Sequence, residues 1–305
     1  MNKCLIRLPL LLLTLLLVLV LLLLVAFRLV NQTNGTLLSS GEHRRYLLYV
    51  PDSYDPTRPT PLVISLHGFS EWPAHQAQIS GWNELADRYG FIVVYPSGTQ
   101  IPLHWRMQGF AGDPHNPSVD VTFISELVDH LSAHYNLDPA RIYANGLSNG
   151  GGMSYELSCF LSDRIAAIGS VAGSYLLPVD QCHPSRPVPA ILFHGTDDRV
   201  VPYQGGPGRS FRLPFPNIPE FSAQLAQLNG CAASPSNQRV SENVDRLEYA
   251  HCAAPVILYT IQDGGHSWPG GEPLPSLIVG QTTSEIDATQ LMWDFFQQHS
   301  LPPAP

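Results

Sequence analysis

From Arg45 onward, short apolar runs alternate with longer amphipathic stretches, and this alternation restricts the fold more than any other feature of the chain. Tyr46–Val50, Pro61–Leu66, Phe91–Tyr95, Ile142–Ala144, Ile165–Val171, Ala190–Phe193 and Val256–Ile261 read as strands. Gly81–Tyr89 and Asn149–Leu161 read as helices. Asp120 is expected to cap a long helix that puts Phe123, Ile124, Leu127, Val128 and Leu131 on one face. Ser284, with Asp287 three residues on, is expected to cap a last helix through Leu291, Met292, Phe295 and Phe296. Buried strands alternating with helices imply an α/β fold, with a mostly parallel sheet and helices on both faces. Ligands bind such sheets beyond the carboxyl ends of the strands, so the loops there are the ones to search.

Four of those ends carry glycine beside a reactive side chain. They are His67-Gly68-Phe69-Ser70, Gly146-Leu147-Ser148-Asn149-Gly150, His194-Gly195-Thr196-Asp197-Asp198 and Gly264-Gly265-His266-Ser267-Trp268. Gly-x-Ser-x-Gly between a strand and a helix is the pattern of a nucleophile elbow, in which flanking glycines leave room for a strained serine. The chain order serine, acid, histidine is that of the α/β-hydrolases. A serine hydroxyl needs a base to take its proton as it attacks a carbonyl carbon, and an imidazole suits that task near neutral pH. A carboxylate orients the imidazole and stabilises its charged form.

These considerations mark Ser148 as nucleophile and His266 as base. Asp198 is preferred as the acid over its neighbour Asp197, although spacing alone separates the two weakly. Asp263 reads as a turn former before Gly264-Gly265. His67 and His194 are expected to brace strand-end loops, and His104, His115, His130, His134, His183, His251 and His299 to lie on surfaces or loops. The backbone N–H groups of Phe69 and Asn149 are the expected oxyanion donors. Trp105, Tyr203 and Trp268, with Phe69, either line a pocket or pack into loops. The Gly-, Pro- and Phe-rich insert 205–219 reads as a lid or a surface loop.

The formal net charge is −9, with 16 Lys and Arg against 25 Asp and Glu, and no basic stripe appears, which argues against nucleic acid as a partner. No Gly-x-Gly-x-x-Gly follows the first strand and no metal-ligand pattern is visible, so neither cofactor nor metal is expected. Residues 8–27 are almost wholly apolar, preceded by Lys3 and Arg7. That length fits a membrane-spanning signal anchor better than a cleaved signal peptide, and either places the remainder outside the cytoplasm, extracellular or periplasmic. Residues 1–30 are thus a targeting segment, 31–42 a polar tether and 43–305 the folded domain. Beyond Cys4, four cysteines suit two disulfides of an exported domain. Cys159–Cys182 and Cys231–Cys252 each close a short loop.

The elbow, the string His194-Gly195-Thr196-Asp197-Asp198-Arg199-Val200-Val201-Pro202-Tyr203 and the run Gly264-Gly265-His266-Ser267-Trp268-Pro269-Gly270-Gly271 resemble the secreted polyhydroxybutyrate depolymerase-like and feruloyl esterase family of α/β-hydrolases. The resemblance spans roughly Arg45 to His299. It implies a serine carboxylesterase acting through an acyl-enzyme, with Asp198 as the acid, and it supports both cysteine pairings. It implies ester substrates: polyester oligomers, hydroxycinnamoyl or acetyl esters on polysaccharide, or small esters. The long apolar N-terminal run departs from the family's cleaved signal peptide. A serine peptidase on the same fold, or a binding protein that kept it, are the rival readings. The first lacks a peptide-end anchor in the sequence, and the second is at odds with an intact Ser148, Asp198 and His266.

Overall fold

The computed structural model describes residues 12–22, 31–108, 119–209 and 211–302. Among the described residues there is one sheet of ten strands: β1 (Gly35–Ser39), β2 (Glu42–Tyr49), β3 (Thr60–Leu66), β4 (Ile92–Pro96), β5 (Leu137–Leu147), β6 (Ala167–Val171), β7 (Ala190–Gly195), β8 (Ser236–Ser241), β9 (Val244–Tyr249) and β10 (Val256–Ile261). Their order is β1-β2-β4-β3-β5-β6-β7-β10-β9-β8. The six central strands, β4 to β10 in that order, are parallel; the hairpins at either edge are antiparallel.

The α-helices after the first are α2 (Pro73–Ser80), α3 (Trp82–Tyr89), α4 (Val119–Ser132), α5 (Asn149–Phe160), α6 (Ile218–Leu228), α7 (Ser276–Val279) and α8 (Ala288–Phe296). Successive residues of a strand face opposite sides of a sheet, which divides the core in two. Leu62, Ile64 and Leu66 of β3 pack with Phe123, Ile124 and Leu127 of α4, Met153 and Leu157 of α5, and Phe221 and Leu225 of α6. Val63 faces the other way, into a cluster with Trp82 of α3 and Met292 and Phe296 of α8. Every residue of β3, β4, β6, β7 and β10 is buried, as the unbroken apolar runs require of a sheet covered on both faces.

Several expectations need correction. Residues 31–42 are not a tether throughout. They carry β1 and the start of β2, joined by a turn in which both Ser40 and Gly41 have positive φ, 50° and 79°. That conformation matches the twist of the two strands it joins. The Asn34 side chain fastens the hairpin by bonding both backbone groups of Leu48. Asp120 does not cap α4. It sits one residue inside, fully buried, because Arg44 donates to its Oδ1 at 2.6 Å and the Arg106 N–H to its Oδ2 at 2.7 Å. The last helix starts later than Ser284 predicts. Asp287 caps it by accepting the Gln290 N–H at 3.0 Å.

The apolar N-terminal run is helical where it is described, over residues 12–22 (α1). Residues 8–11 and 23–27 of the expected anchor lie outside the described residues, as do Cys4 and His115. Among the described residues no helix is long and apolar enough to cross a membrane. Both expected disulfides are present, Cys159–Cys182 and Cys231–Cys252.

Candidate active site

Ser148 stands between the last residue of β5 and the first of α5. Its φ of 56° and ψ of −115° lie where a residue with a Cβ is strained, and such strain persists only when neighbours enforce it. Here the Ser148 N–H donates to the Val171 carbonyl at 2.8 Å, and the Ser148 carbonyl accepts the N–H groups of Gly152 and Ser174 at 2.9 and 3.0 Å. The glycines two before and two after it are required by space. A Cβ on Gly146 would lie 2.5 Å from the Gly150 backbone, and one on Gly150 would lie 2.2 Å from the Leu66 carbonyl oxygen. Helix α5 and strands β3 and β5 therefore approach more closely than any side chain permits.

Two strands along, β7 ends in the loop carrying Asp198, and β10 beside it leads into the loop carrying His266. The two side chains meet. The His266 Nδ1 lies 2.7 Å from Asp198 Oδ2, with both groups buried. Asp198 Oδ1 accepts the N–H groups of Val200 and Val201 at 2.8 and 2.9 Å. Burial alone raises the Asp198 pKa, but attraction to His266 and the hydrogen bonds of His194 and His266 outweigh it and hold the carboxyl well below its usual range. Burial disfavours the charged form of His266. Attraction to Asp198 and the hydrogen bond between them outweigh that, and Glu71 adds to the effect, so the pKa is raised. An imidazole whose Nδ1–H is held by a carboxylate presents Nε2 as a base.

The loop after β3 reaches the same end of the sheet. Glu71, near enough to His266 to act on its charge, accepts the Gly68 N–H at 2.8 Å. His67 Nε2 accepts the Gly98 N–H at 2.9 Å, which leaves Nδ1 to donate to the Gly68 carbonyl at 2.7 Å. Burial depresses its pKa to about 4, so it is a neutral brace, as expected. Trp105 ties this loop to the elbow: its indole N–H donates to the His67 carbonyl at 2.9 Å, and its backbone N–H donates to Asn149 Oδ1 at 2.6 Å. The loop that carries Phe69 and the Asn149 side chain, which belong to the two expected oxyanion donors, are thus linked through one residue. Asn149 opens α5, where backbone N–H groups have no intrahelical acceptor.

The aromatic candidates separate. Trp105 and Trp268 are buried; the Trp268 indole donates to Thr289 Oγ1 at 2.8 Å, and the Tyr203 hydroxyl bonds Thr260 Oγ1 at 2.8 Å. These three pack and brace rather than face solvent. Phe69 remains half-buried, with the Phe211 ring 5.0 Å and the His104 ring 5.6 Å away. The insert 205–219 is not a detached flap. Gly206 and Phe215 form a β-bridge, Phe215 is buried, and Phe211 reaches Phe69. His104, expected on a surface or in a loop, lies in a loop and is mostly buried, beside the Phe69 ring. Sequence reasoning missed Glu71 and Ser174. Glu71 follows the His67-Gly68 pair by only a few residues, which was its one signal. Among the described residues no cluster of three His, Cys, Asp or Glu could hold a metal.

Residues 44–180 match the family model described as Esterase PHB depolymerase. The chain is 30% identical over 273 residues to a probable feruloyl esterase C of Aspergillus clavatus, covering 86% of each protein. It is 28% identical over 267 residues to feruloyl esterase B of Piromyces equi, covering 85% of this chain and 46% of that one. The chain spans less than half the length of the longer curated relatives it matches. Among solved structures, an acetyl xylan esterase from Aspergillus awamori superposes with a TM-score of 0.61 at 15% identity, over 86% of this chain and 98% of that one. At that identity the likeness is one of fold.

Proposed function

The chain belongs to the α/β-hydrolase esterase family of polyhydroxybutyrate depolymerases and feruloyl esterases, and from that premise we propose that it is a serine carboxylesterase whose triad is Ser148, His266 and Asp198. The observation that carries the reading is the pairing at the strand ends. A strained, glycine-flanked Ser148 and a buried Asp198–His266 couple 2.7 Å apart stand at the carboxyl end of the same parallel sheet.

In the proposed reaction Ser148 Oγ attacks the acyl carbon while His266 Nε2 takes its proton. The resulting oxyanion is held by the N–H groups of Asn149 and Phe69, and His266 returns the proton to the departing alcohol. Water then repeats the sequence on the acyl-enzyme. Asp198 stays ionised throughout, because four donors surround it. The substrate class we propose is an acyl group esterified to plant polysaccharide or to a small alcohol. The names of the relatives support it, and so does the half-buried aromatic group Phe69 and Phe211 beside the proposed oxyanion donor. The two disulfides support placement outside the cytoplasm, either secreted or tethered by residues 8–27.

The test is turnover of methyl ferulate against p-nitrophenyl butyrate, with Ser148→Ala as the blank. Preference for ferulate supports an aromatic acyl site, and activity on the butyrate alone supports an aliphatic one. Absence of Ser148-dependent turnover of either substrate sinks the esterase reading.

A further inference from the structure

His194, the residue that ends the apolar part of β7, has no role in a three-membered triad, yet it touches the triad acid. Its Nε2 lies 2.8 Å from the Val201 carbonyl oxygen and 3.3 Å from Asp198 Oδ2. A carbonyl only accepts, so Nε2 must carry the proton. The same N–H is then shared between the Val201 carbonyl and the oxygen of Asp198 that faces His266. The other ring nitrogen, Nδ1, is buried and has no hydrogen-bond partner among the described residues. A second proton there would be a buried donor with nothing to receive it, so the geometry supports the neutral Nε2–H form.

We infer that His194 is a positioning residue of the ester-hydrolysing site: its Nε2–H shares Asp198 Oδ2 with His266, fixing the rotation of the carboxylate and limiting its pull on the base. The inference rests on the proposed triad. The two backbone amides grip Oδ1, and the two imidazoles grip Oδ2, so the carboxylate is held at both ends. Oδ2 cannot give its full negative charge to His266 while it also accepts from His194. The consequence is a base whose pKa is raised by Asp198 less than an unshared carboxylate would raise it. Among the described residues, the polar and aromatic groups against the His194 ring are Asp198, the Val201 carbonyl and the Tyr203 ring, whose centroid is 6.0 Å away and whose hydroxyl is engaged by Thr260 of β10. The other titratable groups close to the couple are His266 itself and Glu71, which reaches the His266 side. None of these replaces the His194 N–H.

The test compares His194→Leu, which removes the donor, with His194→Gln, whose amide N–H extends to nearly the same place. With p-nitrophenyl butyrate, His194→Leu is expected to lower kcat about tenfold, the scale of one hydrogen bond to a charged group, with KM within about twofold. Its kcat/KM profile is expected to move its acidic limb upward by about half a unit, because an unshared Asp198 strengthens proton binding at His266. His194→Gln is expected to restore most of both. An unmoved acidic limb, or a glutamine variant no better than the leucine one, overturns the inference. Should the variants fold poorly, nitrogen NMR of the unaltered protein with labelled histidine decides. A His194 protonated at Nε2 and bare at Nδ1 at neutral pH is expected, and a protonated Nδ1 overturns it. If the unaltered protein has no Ser148-dependent turnover, the esterase reading fails. The ring-nitrogen signals still test the His194 assignment by themselves.

Discussion

Gly150→Ala tests the steric logic of the elbow. An alanine Cβ at this position would lie 2.2 Å from the Leu66 carbonyl oxygen, 2.6 Å from the Leu66 carbonyl carbon and 2.6 Å from the His67 carbonyl oxygen. An unstrained carbon–oxygen contact is about 3.3 Å, so the gap must widen by about 1 Å. All three opposing atoms are backbone, and β3 is paired on both sides, so no side chain can swing away. Helix α5 must move. Overpacking of this kind destabilises by about 1–3 kcal/mol, or a few to about ten degrees in melting temperature. The larger effect falls on turnover, because α5 begins at Asn149 and follows Ser148 directly. A misplacement of about 1 Å lowers the rate by about a hundredfold. Gly41→Ala is the control. Unlike Gly150, Gly41 has a positive φ, 79°, but a Cβ there would meet nothing within 4 Å, so it should lose about 1–2 kcal/mol of stability to backbone strain and no activity. Thermal melting and p-nitrophenyl acetate hydrolysis read both variants. A Gly150→Ala protein with unaltered melting and turnover would refute the reasoning.

Further predictions follow from the charges and cross-links. His266 must be neutral to act as base and its pKa is raised, so kcat/KM should rise with pH through a midpoint above the ordinary histidine value of about 6.5. The same raised pKa makes its contribution to stability full below about pH 6.5, to be lost as pH rises through the folded value; the Asp198 contribution is full above about pH 4 and is lost on acidification. Asp198→Asn should lower kcat by about ten-thousandfold and move that midpoint down, as pH–rate profiles of both proteins would reveal. Asp120→Ala leaves Arg44 buried without its ion-pair partner, and chemical denaturation should record a loss of about 3–5 kcal/mol; a loss under 1 kcal/mol would contradict the buried pairing. Replacing both Cys159 and Cys182 by serine opens a loop of sequence separation 23, which should cost about 3 kcal/mol in the same assay, and no change would mean that the bond does not form in solution.

The parts of this fold legible in the sequence share one physical cause. Strands buried on both faces are written as apolar runs, and the loops beyond them must combine glycine with chemistry. Hence β3, β4, β6, β7 and β10, and the Gly146–Gly150 elbow, can be read directly. The outermost strands cannot. β8 is exposed along nearly its whole length and β1 alternates, so neither carries a buried run. Asp120 illustrates a second limit. Its sequence context matches a helix cap, but its partner Arg44 is 76 residues away, and a long-range ion pair overrides a local preference. The aromatic residues show a third. Trp105 and Trp268 stand in the loops where a pocket would be lined, and only the fold reveals that their indole N–H groups point inward, to His67 and Thr289. His194 is recognisable as a brace from its place before Gly195, but the carboxylate it braces emerges only from the 3.3 Å contact.

The central claim is that Ser148 is a nucleophile activated by His266. Its most direct test is intact-mass and peptide analysis after exposure to a fluorophosphonate, which bonds covalently only to an activated serine. A single adduct on the peptide containing Ser148, abolished in Ser148→Ala and strongly slowed in His266→Ala, is the predicted result. An adduct elsewhere, or none on a folded protein that turns over esters, would contradict it.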